Sequence, residues 1–399
     1  MSNSPDKTIG VPPADSIRFT CKRNQPKLNQ QDIEQLISAV NQEKNRSSKY
    51  SQQILDGVLG FLDTGQLHDF EGRDYLQAKK SFAESELEMA LSFPDDETRI
   101  KYLVYRYKFI EYPKNKIVDG FPIVVSLEPV SYCNLRCTMC FQVDRKFFTD
   151  KSVMGFMDMT LYRKLVDEMA ENQLCSLLFG GRGEPMLHKN FIEMVTYATQ
   201  KGIIDTKINT NATKLTAEKS RELLRAAPKT IVFSVDAGNK QEYEAIRVGA
   251  NFDQVVANIK TFHEIREKEF PQSRSRTRVS MTIFRESQDA KEAENLWSNM
   301  VDEFSIQSAD FRVDIYDHPL LLNETRPCAL LWERLYVWWD GNMNPCDIDY
   351  RSHLGLGQIS KERPTIKSIW LGEKMEKMRR DHLEGRKNSF YPCNQCYGL

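Results

Sequence analysis

Apolar residues recur at helical spacing through the first part of the chain and give way, from Phe121 onward, to short apolar runs separated by helical stripes. Ile33, Leu36, Ile37 and Val40 form one stripe, Ile54, Val58, Phe61 and Leu62 a second, and Tyr102, Leu103, Tyr105, Arg106 and Phe109 a third; steps of three and four put each set on one helix face. Residues 1–118 therefore read as a helical region of unknown role, joined through Tyr112–Gly120 to the strand-rich remainder of the chain. Strands are expected at Ile123–Glu128, Ser176–Phe179, Thr206–Asn209, Thr230–Val235, Arg278–Ile283 and Phe311–Ile315. Helical patterns such as Leu161/Leu165/Met169, Phe191/Met194/Val195 and Val255/Ile259/Phe262 intervene. Alternating strands and helices build a parallel sheet wrapped by helices. Six units fall short of a closed barrel, so an α/β fold with a partial (β/α)6 TIM-like barrel is expected over residues 119–318, followed by a small third region, 319–399.

The conspicuous polar residues sit where these strands end. The first runs into three cysteines, the second into Gly180-Gly-Arg-Gly-Glu-Pro185, the third into Asn209-Thr-Asn211 and the fourth into Ser234-Val-Asp236; the last two lead to Arg285-Glu286 and Tyr316-Asp-His318. Barrels of this kind build their sites from the loops at the carboxyl ends of strands, so the six stations should face one cavity.

Charge narrows the partners. Over 399 residues, 55 Lys and Arg stand against 56 Asp and Glu, so no global field draws the chain to nucleic acid or an anionic membrane, and a small-molecule or protein substrate is the default. The start, Met1-Ser-Asn-Ser-Pro-Asp-Lys, is polar where a secretory signal is apolar, and no run reaches the length of a spanning helix; a soluble, cytoplasmic protein is expected. Seven of the nine cysteines fall into two clusters, a usage that suits metal binding in a reducing compartment better than disulfides. Cys175, in an apolar run, reads as a small buried hydrophobe, and Cys21 carries no signal.

Cys133, Cys137 and Cys140, in Ser-Tyr-Cys-Asn-Leu-Arg-Cys-Thr-Met-Cys-Phe, can hold three corners of an iron–sulfur cube and leave one iron open. This spacing resembles the signature of the radical S-adenosylmethionine (SAM) enzymes. The resemblance implies a [4Fe–4S] cluster whose open iron is chelated by SAM, one-electron cleavage of SAM to a 5′-deoxyadenosyl radical, and hydrogen abstraction from substrate, with an external one-electron donor such as a flavodoxin or ferredoxin. It also implies cofactor contacts. Gly181, Gly183 and Glu184 match the family's glycine-rich motif, where glycines admit close backbone approach and Glu184 would face the SAM ammonium. Asn209, Asn211, Ser234 and Asp236 match the strand-end residues that contact ribose and carboxylate, and Arg247 would pair with the SAM carboxylate. Met139 takes the place of an aromatic residue common in the family, with Phe141 on the other side of Cys140.

A second metal signal lies in the last third. Cys328, Gly341, Cys346 and the closing Cys393-Asn-Gln-Cys396 describe either a structural zinc site or, by resemblance, the twitch form of the SPASM extension of radical SAM enzymes. Four cysteines allow one auxiliary [4Fe–4S] cluster. The implied reaction is net oxidation of a small molecule, such as a sugar or amino sugar, with the auxiliary cluster taking an electron. Two alternatives stand beside it: a peptide-modifying maturase, and a metal-stabilised binding protein without catalysis.

Overall fold

The computed structural model describes residues 28–46, 49–63, 81–308, 315–316, 325–359 and 365–396, and the backbone of 18–21. Its strands are β1 (Arg18–Cys21), β2 (Val124–Leu127), β3 (Arg136–Cys137), β4 (Ser176–Phe179), β5 (Asp205–Thr210), β6 (Thr230–Ser234), β7 (Arg247–Val248), β8 (Arg276–Ile283), β9 (Glu303–Ser308), β10 (Arg334–Val337), β11 (Asn342–Asn344) and β12 (Gly357–Gln358). Ten of them form one sheet in the order β1-β9-β8-β6-β5-β4-β2-β10-β11-β12, while β3 and β7 pair separately. From β2 through β4, β5, β6 and β8 to β9, neighbours run parallel. These six are the strands of the open barrel. Helices such as Met159–Glu171, Phe191–Gln200 and Phe252–Glu269 return the chain between them and bury Leu165, Met194 and Ile259 against the sheet.

One expected strand lies largely outside the described residues. The sixth barrel strand is β9, which pairs in parallel with β8, whereas Phe311–Val313 and Asp314 of the expected strand lie outside the described residues and Ile315 and Tyr316 form a turn. The run Glu303-Phe-Ser-Ile-Gln-Ser alternates polar and apolar side chains, a half-buried pattern that sinks Phe304 into the core at 1% exposure but lacks the apolar density of its neighbours.

The amino-terminal helices close the barrel at the strand starts. Gln30–Lys44 begins with a reciprocal cap between Asn29 and Asp32, and Asp95 caps Asp96–Asn115 through the Thr98 N–H at 2.8 Å, satisfying donors that a helix start leaves open. Their shared core of Leu36, Val40, Leu55, Val58 and Leu103 continues into Ile123, Val124 and Cys175. Polar ties follow the same end: Lys101 donates to the Gly202 carbonyl, Lys229 to Ser92, and Arg276 bridges Glu88 and Glu303. With that end covered, the strand carboxyl ends are left for the site.

The last third joins the same sheet. β10 lies parallel to β2, Leu335 against Val125 and Val337 against Leu127, and Trp332, Trp370 and Met375 share the barrel's core. Gly341 turns β10 into β11 at φ 85°, and a Cβ there would stand 2.7 Å from the Ile359 carbonyl. Only glycine suits that turn.

Candidate functional site

The cysteine loop leaves the end of β2 and is held before it reaches any thiol. Ser131 Oγ accepts from the Gly155 N–H at 2.7 Å, and Gln142 donates to the carbonyls of Ser131 and Arg182. Cys137 is buried and paired through β3 with Arg247 on β7. The Cys140 N–H donates to the Cys137 carbonyl at 2.9 Å, folding the third thiol back. Each sulfur faces a donor: Leu135 N–H and Asn211 Nδ2 at Cys133 (3.5 and 3.9 Å), Arg247 Nη1 at Cys137 (3.9 Å) and Gln142 N–H at Cys140 (3.5 Å). Burial pushes the Cys133 thiol up to about 12, with Glu184 and the other two thiols adding to the rise, and raises Cys137 as well. Three thiols on one loop, each facing a hydrogen-bond donor, form a donor set that suits a cluster held at three corners.

Around the loop stand the strand-end residues. Gly183 lies so close to the cysteine loop that a Cβ would meet the Val130 carbonyl at 2.2 Å and that of Tyr132 at 2.5 Å; Gly181 packs beside Glu128 at φ 143°. Glu184, buried, accepts from Thr210 Oγ1 (2.7 Å), the Asn211 N–H (2.7 Å) and the Met186 N–H (3.1 Å), so it clamps the end of β5 to the glycine loop. Burial raises its carboxyl despite those bonds. Asn211 reaches from that clamp to Cys133 and Asn134. Asn209 lies half-buried beside Gly180, and Ser234, half-buried, pairs with Ser280 across β6 and β8. Asp236 is fully buried, accepts from the Thr282 N–H at 2.9 Å, and lies 2.7 Å from Arg247 Nη2 in an ion pair whose N–H is not aligned on Asp236 Oδ2. Of the expected SAM contacts, Gly183, Glu184, Asn211 and Arg247 touch the cysteine loop, and Asp236 reaches it through Arg247; Gly181, Asn209 and Ser234 stand at neighbouring strand ends. Met139 is half-buried on it. Phe141 instead turns away, stacked on Tyr350.

The carboxyl-terminal cysteines also converge. Cys328, Cys346, Cys393 and Cys396 line one cavity with Leu331, Ile348, Leu354 and Met378. Asn344 Nδ2 holds the Cys346 turn by donating to the carbonyls of Cys346 (2.7 Å) and Asp349 (2.9 Å). Burial lifts the Cys328 thiol to about 11 and raises Cys346 and Cys393 too, with neighbouring thiols adding to each. Lys387 Nζ and His382 Nε2, on residues that line this cavity, are buried without a hydrogen-bond partner among the described residues. An unpaired buried ammonium is costly, a cost that an anionic four-thiolate cluster held there would offset. Among the described residues, no three His, Cys, Asp or Glu are gathered for a single metal ion.

One aromatic wall separates the two cysteine sets. Phe141, Phe147, Ile315, Tyr316, Ile348 and Tyr350 form a buried cluster against which Cys140, Cys346 and Cys396 all pack. Buried Arg182, from the glycine loop, ties the wall down: its Nε and Nη2 donate to the two Glu128 oxygens at 2.8 Å, and Nη1 donates to the Tyr350 carbonyl at 3.0 Å. Asp144 accepts from Tyr350 Oη and Arg351 Nε at 3.0 Å. Tyr316, from the sixth expected station, donates to Asp349 at 2.8 Å; Asp317 and His318 lie outside the described residues. Sequence reasoning missed Arg182, Glu128, Tyr350, His382 and Lys387. Arg182 sits inside the glycine motif, the one local signal that could have found any of them.

Comparison with known proteins agrees with this geometry. Residues 127–283 match the Radical SAM superfamily and residues 328–397 an iron–sulfur cluster-binding domain, SPASM. The chain is 38% identical over 111 residues to a tungsten-containing aldehyde ferredoxin oxidoreductase cofactor-modifying protein of Pyrococcus furiosus, covering 28% of this chain and 30% of that protein. It is 27% identical over 150 residues to the mycofactocin maturase MftC of Mycolicibacterium smegmatis, covering 36% of each; the match thus spans about a third of these relatives. Streptococcus suis SuiB bound to precursor peptide SuiA shares the fold at a TM-score of 0.51 and 14% identity, over 84% of this chain and 86% of that one. SuiB bound to S-adenosylmethionine gives 0.50 at 14% identity, over 89% and 90%. The two domains bring with them a SAM-binding [4Fe–4S] cluster, auxiliary iron–sulfur and SAM as cofactors. Two thiol sets, each inside its matched segment, place this chain in the radical SAM superfamily, with a carboxyl-terminal SPASM domain.

Proposed function

We propose that the chain is a radical SAM oxidoreductase that removes hydrogen, and then an electron, from a small organic substrate such as a sugar or amino sugar. In this reading Cys133, Cys137 and Cys140 hold the SAM-binding cluster on the barrel (residues 119–318), and Cys328, Cys346, Cys393 and Cys396 hold one auxiliary [4Fe–4S] cluster in a twitch-type extension (319–399). Residues 1–118 act as the helical cover. When bound, the cofactors supply one-electron chemistry: reductive cleavage of SAM, hydrogen abstraction from the substrate, and acceptance of the electron left behind.

The chain's own residues position and seal. Gly183 lets the glycine loop touch the cysteine loop, Glu184 offers a carboxylate toward the SAM ammonium while fixing Asn211, and Arg247 holds Cys137 in place from its pair with Asp236. Binding energy of this kind serves orientation, and a dry wall protects a reactive species from solvent. The single observation that carries the oxidative reading is the aromatic wall shared by Cys140, Cys346 and Cys396, which makes the two sites neighbours across packed side chains. An external one-electron donor, of the flavodoxin or ferredoxin class, starts the cycle.

A second reading, peptide modification, draws on the fold likeness to SuiB bound to a precursor peptide and on relatives named as a mycofactocin maturase and a PqqA peptide cyclase. The test of the primary reading is anaerobic turnover with candidate substrates, following 5′-deoxyadenosine and product by chromatography and mass. Loss of two hydrogens from a small molecule supports oxidation. A peptide product of changed connectivity with no small-molecule turnover overturns it in favour of the second reading.

A further inference from the structure

Lys387 and His382 each bury a side-chain donor that no hydrogen bond among the described residues uses. Lys387 opens the short turn Lys387–Ser389 after the helix Glu373–Leu383, is 1% exposed, and its ammonium has no hydrogen-bond partner among the described residues. It lines the same cavity as Cys328, Cys346, Cys393 and Cys396. The carboxylate on the same wall is engaged elsewhere: Asp349 accepts from Tyr316 Oη, the His353 N–H and the Leu354 N–H. Asp381, the other acidic neighbour, is paired with Lys377 and Arg386.

His382 is also 1% exposed. Its Nδ1 lies 3.3 Å from the Cys328 N–H and accepts from it, so in the neutral ring the proton sits on Nε2. That Nε2–H has no acceptor among the described residues, and the residue lines the cavity. Two buried donors, one of them charged, thus face one space bounded by four thiols.

We propose that Lys387 and His382 set the reduction potential of the auxiliary cluster, Lys387 as its buried counter-charge and His382 as a hydrogen-bond donor to one of its sulfurs; this rests on the reading of Cys328, Cys346, Cys393 and Cys396 as cluster ligands. A four-thiolate cluster is anionic and gains one further negative charge on reduction. A fixed cation in a poorly solvated cavity stabilises the reduced form more than the oxidised form, and an N–H donated to sulfur acts in the same direction. Both residues therefore raise the potential and make the site a better electron acceptor. They are positioning and tuning residues that touch no substrate.

The test is a potentiometric titration of the anaerobically reconstituted full chain, followed by electron paramagnetic resonance, in wild type, Lys387→Met, Lys387→Arg and His382→Leu. The auxiliary signal is the one that added SAM leaves unchanged. In Lys387→Met, its reduction equilibrium is expected to fall about tenfold, a downward shift of about 59 mV for one electron, with a smaller fall in His382→Leu and near-wild-type behaviour in Lys387→Arg. An unchanged potential in both Lys387→Met and His382→Leu overturns the proposal. If Lys387→Met cannot hold the cluster, rescue of loading by Lys387→Arg supports the counter-charge, and failure of both with the first cluster intact overturns it. A wild-type chain with no second iron–sulfur signal refutes the ligand reading instead, and so separates the two failures.

Discussion

Phe141 and Tyr350 stack with ring centroids 4.8 Å apart and planes 18° from parallel, joining the residue after Cys140 to the segment after Cys346. Phe147 meets both rings edge-on, at 5.6 Å from Phe141 and 5.3 Å from Tyr350. The contact fixes how the two cysteine sets face each other. Tyr350→Ala removes a fully buried ring at 1% exposure and should lower unfolding stability by about 3–5 kcal/mol, the range for a lost aromatic core residue. Chemical denaturation of wild type and variant checks this.

Arg182 and Glu128 form a buried pair at 3% and 0% exposure of their side chains. Glu128→Gln leaves the guanidinium without its counter-charge, and breaking such a pair costs about 3–5 kcal/mol. The same denaturation experiment reads it. A cost under about 1 kcal/mol would mean that Arg182 is held by the Tyr350 carbonyl and the Trp338 ring face, 4.3 Å from its guanidinium carbon, rather than by Glu128.

Glu184 has two functions to separate. Its bonds to Thr210, Asn211 and Met186 are made by donors that an amide oxygen could also serve in part, while attraction for an ammonium needs the charge. Glu184→Gln should therefore weaken SAM binding by about 1.5–3 kcal/mol, the worth of a charge-assisted hydrogen bond, with iron content unchanged. Isothermal titration of the reconstituted protein measures it; equal affinity would leave Glu184 only its clamp.

Asp144 gives a pH signature. Burial opposes its ionisation, but hydrogen bonds from Arg351 and Tyr350, the Arg351 charge and the Lys146 N–H outweigh it and hold the carboxyl below its usual value of 3.8. A carboxyl depressed on folding contributes stability in full above its unfolded value, and that stability is lost as pH falls through the folded value. Asp144→Asn should cost about 1 kcal/mol at pH 7, discounted for part exposure, and the gap between variant and wild type should close below about pH 4. Urea titrations of the iron-free chain at pH 7 and pH 3 would show it.

How much of this is readable in the chain differs by kind of interaction. Cys133, Cys137 and Cys140 and the strands β2, β4 and β6 are local patterns, set by spacing and by dense apolar runs, while β8 shows as an alternation of polar and apolar residues and β5 as a run around Ile208 that ends in Asn209 and Thr210. β9 escapes such a reading because its apolar face holds only Phe304 and Ile306, and strand assignment then drifts to the next apolar run. The parallel pairing of β10 with β2 joins residues about two hundred positions apart, which no local pattern encodes. Lys387, His382 and the Glu128–Arg182 pair look like ordinary surface chemistry in the sequence; only burial shows that their charges and donors are directed inward. Proximity to Cys140 points Phe141 toward the cofactor, yet its ring packs on a partner from the last third of the chain.

The most direct measurement is iron content and 5′-deoxyadenosine formation, side by side, in anaerobically reconstituted wild type and two cysteine variants. Wild type should bind about eight irons per chain, two four-iron clusters, and release 5′-deoxyadenosine when reduced in the presence of SAM. Replacing Cys133, Cys137 and Cys140 with Ala should halve the iron and abolish 5′-deoxyadenosine. Replacing Cys393 and Cys396 with Ala should also halve the iron but leave SAM cleavage in place. A triple variant that keeps all its iron, or still cleaves SAM, would contradict the assignment of the two sites.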